Sequence, residues 1–248
     1  MTFLQHCQRL QDGREEALRA INDLNSEPKG LLKLTCAVAY GERFIVPLAT
    51  DFMATYPQLR LDIELSNRTL DLVHEGIDLA IRLGRLHDSG LVASRLAPRR
   101  MYICASPAYM ARYGRPHSLS ELARHNCLIG SSDQWLLQEG GREVTQRVEG
   151  NWRCNSGQAV LDATLKGVGL CQLPDYYVLE HLRSGALVSL LEPHQPPNTA
   201  VWALYPQQRY LSPKVRGLVE FLKNGLRARE EYAVTAPGKS AAENLPLA

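Results

Sequence analysis

One arginine near the end of an apolar run stands out for the chemistry it could do. In the strand-like run 77–83, Leu79, Ile81 and Leu83 share one face, while Ala80 and Arg82 share the other. Close to the carboxyl end of that strand, Arg82 can leave the sheet and pair with an anionic ligand through its planar guanidinium. An internal ion pair with Asp78 is the competing structural reading. Three places where a strand gives way to a helix add unpaired N–H groups and partial positive charge, which suit carboxylates and other anions. They are Ala39, Tyr40 and Gly41, then Ser131 and Ser132, then Asn155 and Ser156. Asn67, just past the strand 59–65, offers an amide to a ligand or caps its own loop. Tyr40 either stacks on an aromatic ligand or covers the site as an apolar lid. Trp135 and Trp152 read as core or loop anchors.

Other chemistries lack their residues. The chain has no HExxH, GxSxG, GxxxxGKS/T or GxGxxG pattern. Its seven histidines are dispersed without metal-ligand spacing, so neither a metal nor a cofactor is expected, and no enzyme. Gly167-Val168-Gly169 reads as a helix stop and strand entry rather than a phosphate loop. Six cysteines (Cys7, Cys36, Cys104, Cys127, Cys154, Cys171) are scattered with no CxxC pair. Several lie in apolar runs, which points to free buried thiols in a reducing compartment. Cys154 and Cys171 carry the alternative of thiols that sense oxidants or electrophiles. A formal net charge of +2 is too small to argue for nucleic-acid binding by these residues themselves.

The elements that must position these groups alternate. Residues 1–25 read as one amphipathic helix, with Phe3, Leu10, Ala17 and Leu24 recurring every seven residues and Cys7 and Ile21 filling the seam. Breakers at 25–30 end it. Then come a strand at 31–38, a helix at 41–56, a strand at 59–65, a short helix at 69–75 and a strand at 77–83. That order implies a mostly parallel sheet with helices on its faces. A second α/β unit begins with a strand at 101–105 and a helix N-capped by Ser106 with Pro107 in its first turn. It continues with a short helix at 119–123, strands at 127–130 and 144–153, a helix at 156–166 and a strand at 170–173. A helix at 175–183 and strands at 187–191 and 200–205 follow. The last helix spans 213–229. Residues 232–248 read as a disordered tail. No run approaches a membrane span, and the polar start is no secretory signal, so a cytoplasmic protein is expected.

Several segments resemble the regulatory domain of LysR-type transcriptional regulators, and in that family's order. They are YPQLRLDIEL at 56–65, LVHEGIDLAIRLG at 72–84, LVASRLAP at 91–98, ASPAYM at 105–110, NSG at 155–157, GVGL at 167–170, LP at 173–174 and LSPKV at 211–215. The resemblance implies two Rossmann-like α/β subdomains joined by two crossover strands, as in type 2 periplasmic binding proteins, behind an N-terminal linker helix at 1–27. Subdomain I would cover 30–104 and be completed by 210–231, with subdomain II at 105–209. The three strand-to-helix sites and Arg82 would then face a cleft between the lobes. Family members normally begin with a winged helix-turn-helix. Met1 falls where the linker helix starts, so that head is expected to be missing here.

The implied function is sensing a small-molecule effector, a carboxylate or an aromatic metabolite. The response would be a changed dimer or tetramer and altered DNA binding by the missing head. A solute-binding protein of a transport system is the alternative on the same fold. It would leave the heptad helix and the unpaired cysteines unexplained.

Overall fold

The computed structural model describes residues 27–68, 71–86, 90–196, 199–207 and 211–235. The expected helix at 1–25 lies outside them. The chain divides into two compact units, one holding the residues up to Ala97 together with Val201–Glu231, the other Pro98–Ala200. The passages therefore fall inside two strands, upstream of the expected boundaries at 104 and 209.

In the first unit, β1 (Gly30–Cys36) runs straight into a helical stretch. That stretch is α1 (Val38–Tyr40), a π-helical segment (Gly41–Ile45) and α2 (Val46–Thr55). The helix thus begins before Gly41, and Ala39 to Gly41 lie in its first turn. It stops at Tyr56 because Pro57 disfavours helical backbone in the residue before it. Next come β2 (Leu59–Leu65), β3 (Leu79–Gly84) and β4 (Leu91–Arg99). With β10 (Thr199–Pro206) they form a five-stranded sheet ordered β2-β1-β3-β10-β4. β1 pairs in parallel with both β2 and β3, as the strand–helix–strand order requires. β2 alternates apolar and exposed polar residues, which fits a sheet edge with one wet face. The short helix expected near 69–75 is instead a hydrogen-bonded turn at 72–76, closed by Gly76 at φ +62°; positions 69 and 70 lie outside the description.

The last helix, α6 (Pro213–Thr235), runs beyond the expected stop at 229 and takes in the first residues of the expected tail. It packs on α2: Phe221 meets Phe52 at 5.4 Å between ring centroids, and a Cβ on Gly225 would sit 2.5 Å from a Leu48 methyl. Lys214 Nζ, near its start, reaches Asp78 Oδ2 at 3.0 Å and also donates to the Leu31 carbonyl. That contact ties the helix to the entry of β3.

In the second unit, β5 (Met101–Ala105) is followed by α3 (Pro107–Tyr113), whose N-cap is Ser106 accepting from Tyr109 N at 3.3 Å. A 3₁₀ turn (Leu119–Arg124) follows. The hairpin β6 (Gln134–Glu139) and β7 (Arg142–Arg147) then turns through Gly140 and Gly141, both at positive φ. This replaces the single long strand expected at 144–153. The expected strand at 127–130 is reduced to two parallel bridges, Cys127 with Leu170 and Ile129 with Arg153. α4 (Gly157–Leu165), β8 (Cys171–Pro174), α5 (Asp175–Arg183) and β9 (Val188–Leu190) complete it. The sheet here is antiparallel, in the order β8-β5-β9.

Two cores fill this unit. One gathers Ile103, Tyr109, Trp135, Leu137 and Leu190; the other gathers Cys104, Leu128, Val160, Cys171 and Val178, with Trp152 against it. Both tryptophans are packing residues. The five described cysteines are free thiols, and all but Cys154 are buried.

Candidate functional site

The polar groups of the first unit converge because β2, β1 and β3 are parallel neighbours and end at one edge of the sheet. From β1 the chain turns directly into α1, so Ala39, Tyr40 and Gly41 sit above that edge. Asn67, just past the end of β2, accepts from Val38 N at 3.2 Å through Oδ1. It therefore satisfies one of the helix's open N–H groups, the capping role rather than a spare amide. Tyr40 is buried, with its ring 4.8 Å from that of Phe44. Gly41 is also buried, and a Cβ there would lie 2.4 Å from a Leu65 methyl. Its bare Cα is what lets the helix start lie against the end of β2.

Arg82, two residues before the end of β3, is the electrostatic exception. Asp78, the partner that the sequence offered, lies at the other end of β3 and is bound by Lys214 Nζ and by Lys33 N, at 3.0 and 2.9 Å. Among the described residues, Arg82 Nη2 is buried with no hydrogen-bond partner. Burial pulls its pKa below the ordinary arginine range, an effect that a nearby negative charge would reverse. Close by, burial pushes the Cys36 thiol up to about 12 even with the guanidinium acting against it.

Thr35 stands opposite Ala80 in the β1–β3 register, so it shares the face that carries Arg82. It is fully buried, and its Oγ1 also has no hydrogen-bond partner among the described residues. A threonine in an apolar run is ordinary in sequence; only the register puts Thr35 beside Ala80. A cavity of about 240 Å³ opens at the other end of β3, lined by Ile77, Asp78, Tyr205, Leu211, Ser212 and Val215. Its one carboxylate is already neutralised by Lys214.

The second unit brings its own candidates together. Cys154 N donates to Ile129 O at 2.9 Å, so the segments carrying Ser131 and Ser132 and carrying Asn155 and Ser156 leave side by side. Ser132 Oγ accepts from Gln134 N at 3.0 Å, a local turn contact. Ser156 is the N-cap of α4 and accepts from Ala159 N at 3.4 Å. Ser131 and Asn155 are exposed. Asp133 lies between these segments, 3.5 Å from Arg147 and 3.6 Å from Arg153. Asn126 anchors the base: its side chain bonds Asn151 twice and the Val168 carbonyl once. No signal in the sequence marked Asn126 out, because all three contacts are long-range.

Among the described residues, no group of three histidines, cysteines or acids could hold a metal ion. None of the described helices is long and apolar enough to cross a membrane.

Strand–helix alternation in two units, with donors at strand ends and one guanidinium nitrogen left without a partner among the described residues, defines a two-part α/β ligand-binding domain. The chain belongs to the LysR substrate binding domain family, whose model matches residues 25–227. It is 34% identical over 207 residues to the HTH-type transcriptional activator TtdR of Escherichia coli K12, covering 82% of this chain and 66% of that protein. It is 32% identical over 223 residues to the HTH-type transcriptional regulator DmlR of the same organism, covering 88% of this chain and 72% of that one. Among solved structures, the regulatory domain of CrgA, a LysR-type regulator from Neisseria meningitidis, matches with a TM-score of 0.66 at 29% identity, over 79% of this chain and 98% of that one. Full-length AphB, a virulence activator from Vibrio cholerae, matches with a TM-score of 0.69 at 25% identity, over 89% and 77%. The chain is thus an effector-sensing domain of LysR type, on the periplasmic-binding-protein-like fold. The transport alternative is not favoured by these relatives.

Proposed function

We propose that this domain senses a small anionic molecule, a carboxylate in the first instance, with Arg82 as its charge partner. One observation carries the reading: a buried guanidinium nitrogen near a strand end has no hydrogen-bond partner among the described residues. Ala39, Tyr40, Gly41 and Asn67 surround the same sheet edge, with Tyr40 and Gly41 shaping it and Asn67 holding the helix start. Ser131, Ser132, Asn155 and Ser156 are a second set of candidate contacts, on the second unit.

The relatives named as HTH-type regulators support a regulatory rather than a catalytic role in the cytoplasm. In the whole protein, effector occupancy would bias a dimer or tetramer and so change DNA binding by a winged helix-turn-helix. The test is a thermal-shift screen of small mono- and dicarboxylates against neutral sugars and amines, run on the wild-type chain and on Arg82→Ala. Carboxylates alone should stabilise the wild type, and Arg82→Ala should lose most of that shift. Equal stabilisation of both proteins by neutral compounds, with acids inert, would remove the anion.

A further inference from the structure

Cys104 and Cys171 are directly opposed residues of the antiparallel strands β5 and β8. Opposed residues in such a ladder hold their Cα atoms about 4.5 to 5.5 Å apart, inside the range a disulfide spans. Both side chains are fully buried in one cluster under α4, beside Val160, Leu161 and Ala163. Both are free thiols. The two interact directly: the hydrogen bond from Cys104 draws the Cys171 thiol down and, together with burial, holds the Cys104 thiol far above its ordinary range. Cys127, equally buried, has its sulfur against the Leu122 carbonyl, at 3.8 Å, and no cysteine opposite it in the described ladders. The pair is therefore distinguished by register, not by burial.

We propose that Cys104 and Cys171 are an oxidisable dithiol that closes into a cross-strand disulfide, giving the domain an oxidant input separate from its effector. With a hydroperoxide as oxidant, the Cys171 thiolate attacks the terminal peroxide oxygen and breaks the O–O bond. This leaves a sulfenic acid on Cys171 and, with hydrogen peroxide, releases water once the leaving oxygen takes a proton. Cys104 sulfur then attacks the Cys171 sulfur and expels hydroxide, which takes the Cys104 proton to give a second water. Two thiols and one peroxide become one disulfide and two waters. Access is the slow step, because neither thiol meets solvent. β8 is an edge of its sheet, so fraying of its four residues is the route in. The link would fix β8 to β5, and with it Leu170, which bridges to Cys127 on the segment leading to Ser131.

The experiment uses the wild-type chain, reduced, desalted and held with excess hydrogen peroxide at a urea concentration below the unfolding transition. The protein is then unfolded, its remaining thiols are alkylated, and it is digested without reductant for mass spectrometry. Cys104 and Cys171 should leave the alkylated pool together and return as one linked peptide pair, ~2 Da lighter than its parts. Cys127 should stay alkylated. Dithiothreitol should restore both thiols, and the oxidised form should melt several degrees higher. Cys104→Val should abolish the linked pair without diverting Cys171 to another cysteine. Full alkylation of Cys104 and Cys171 after long exposure, or a link from either to Cys127 or Cys154, overturns the proposal.

Discussion

Replacing Arg82 by methionine separates a ligand group from a structural one by the sign of its effect. Methionine keeps the apolar stem and deletes a guanidinium whose Nη2 is buried without a partner among the described residues. An unsatisfied buried donor costs about 1–3 kcal/mol, and since Arg82 is only half buried the lower end applies, about 1 kcal/mol. The ligand-free variant should therefore be more stable than wild type, by roughly 2–4 °C in melting temperature for a chain of this size. Ligand response should move the other way. A hydrogen bond to a charged group contributes about 1.5–3 kcal/mol, so losing it weakens a carboxylate roughly 10- to 150-fold. A ligand present at about 100 times its Kd stabilises wild type by about 2.7 kcal/mol. After a 30-fold loss of affinity the same concentration stabilises the variant by only about 0.9 kcal/mol. Differential scanning fluorimetry, with and without the carboxylate selected in the screen, reads both effects in one experiment. If Arg82→Met melts well below wild type without ligand, the arginine is structural and the reasoning is wrong.

Three other outcomes follow from local geometry. A Cβ on Gly150 would lie 2.1 Å from the Cys127 carbonyl oxygen, a backbone atom that cannot swing aside. Gly150→Ala should cost about 3 kcal/mol in urea unfolding, and a loss under about 0.5 kcal/mol would show that the two segments are not held together. Ser106→Ala removes the side-chain cap of α3 and should cost about 1 kcal/mol, largely restored by Ser106→Asp. Burial lowers the pKa of His125, whose Nδ1 sits 3.4 Å from the Tyr109 hydroxyl. The unfolded state then takes up the proton first, so His125's contribution is full at neutral pH and is lost as pH falls through about 6.5 and below. His125→Gln should flatten the midpoint-against-pH curve there, and an unchanged slope would clear this histidine of the effect.

What the chain's own residues determined is local. Ser106-Pro107 set the start of α3, and Gly114, Gly167 and Gly185 set three helix stops, each at a positive φ that side-chain-bearing residues avoid. The strand–helix alternation and the face shared by Ala80 and Arg82 were legible for the same reason: both are periodicities of neighbouring residues. The β6–β7 hairpin was not read: a single strand was expected at 144–153, where the chain makes two short strands that turn through Gly140 and Gly141.

Only the tertiary structure decided which partner each group would have. Asp78 meets Lys214, 136 positions away, at the opposite end of β3 from Arg82. Thr35 comes to share a face with Arg82, Asn67 comes to cap α1, and Cys104 comes to face Cys171, each through strand order or register. The helix expected at 69–75 gave way to a turn at 72–76 whose Leu72 packs against Ile77, Ala80 and Leu204, residues from β10 as well as from its own neighbourhood. Propensity and periodicity act over a few residues, whereas pairing energies depend on which strands lie side by side, and that is set by burying both sheet faces at once.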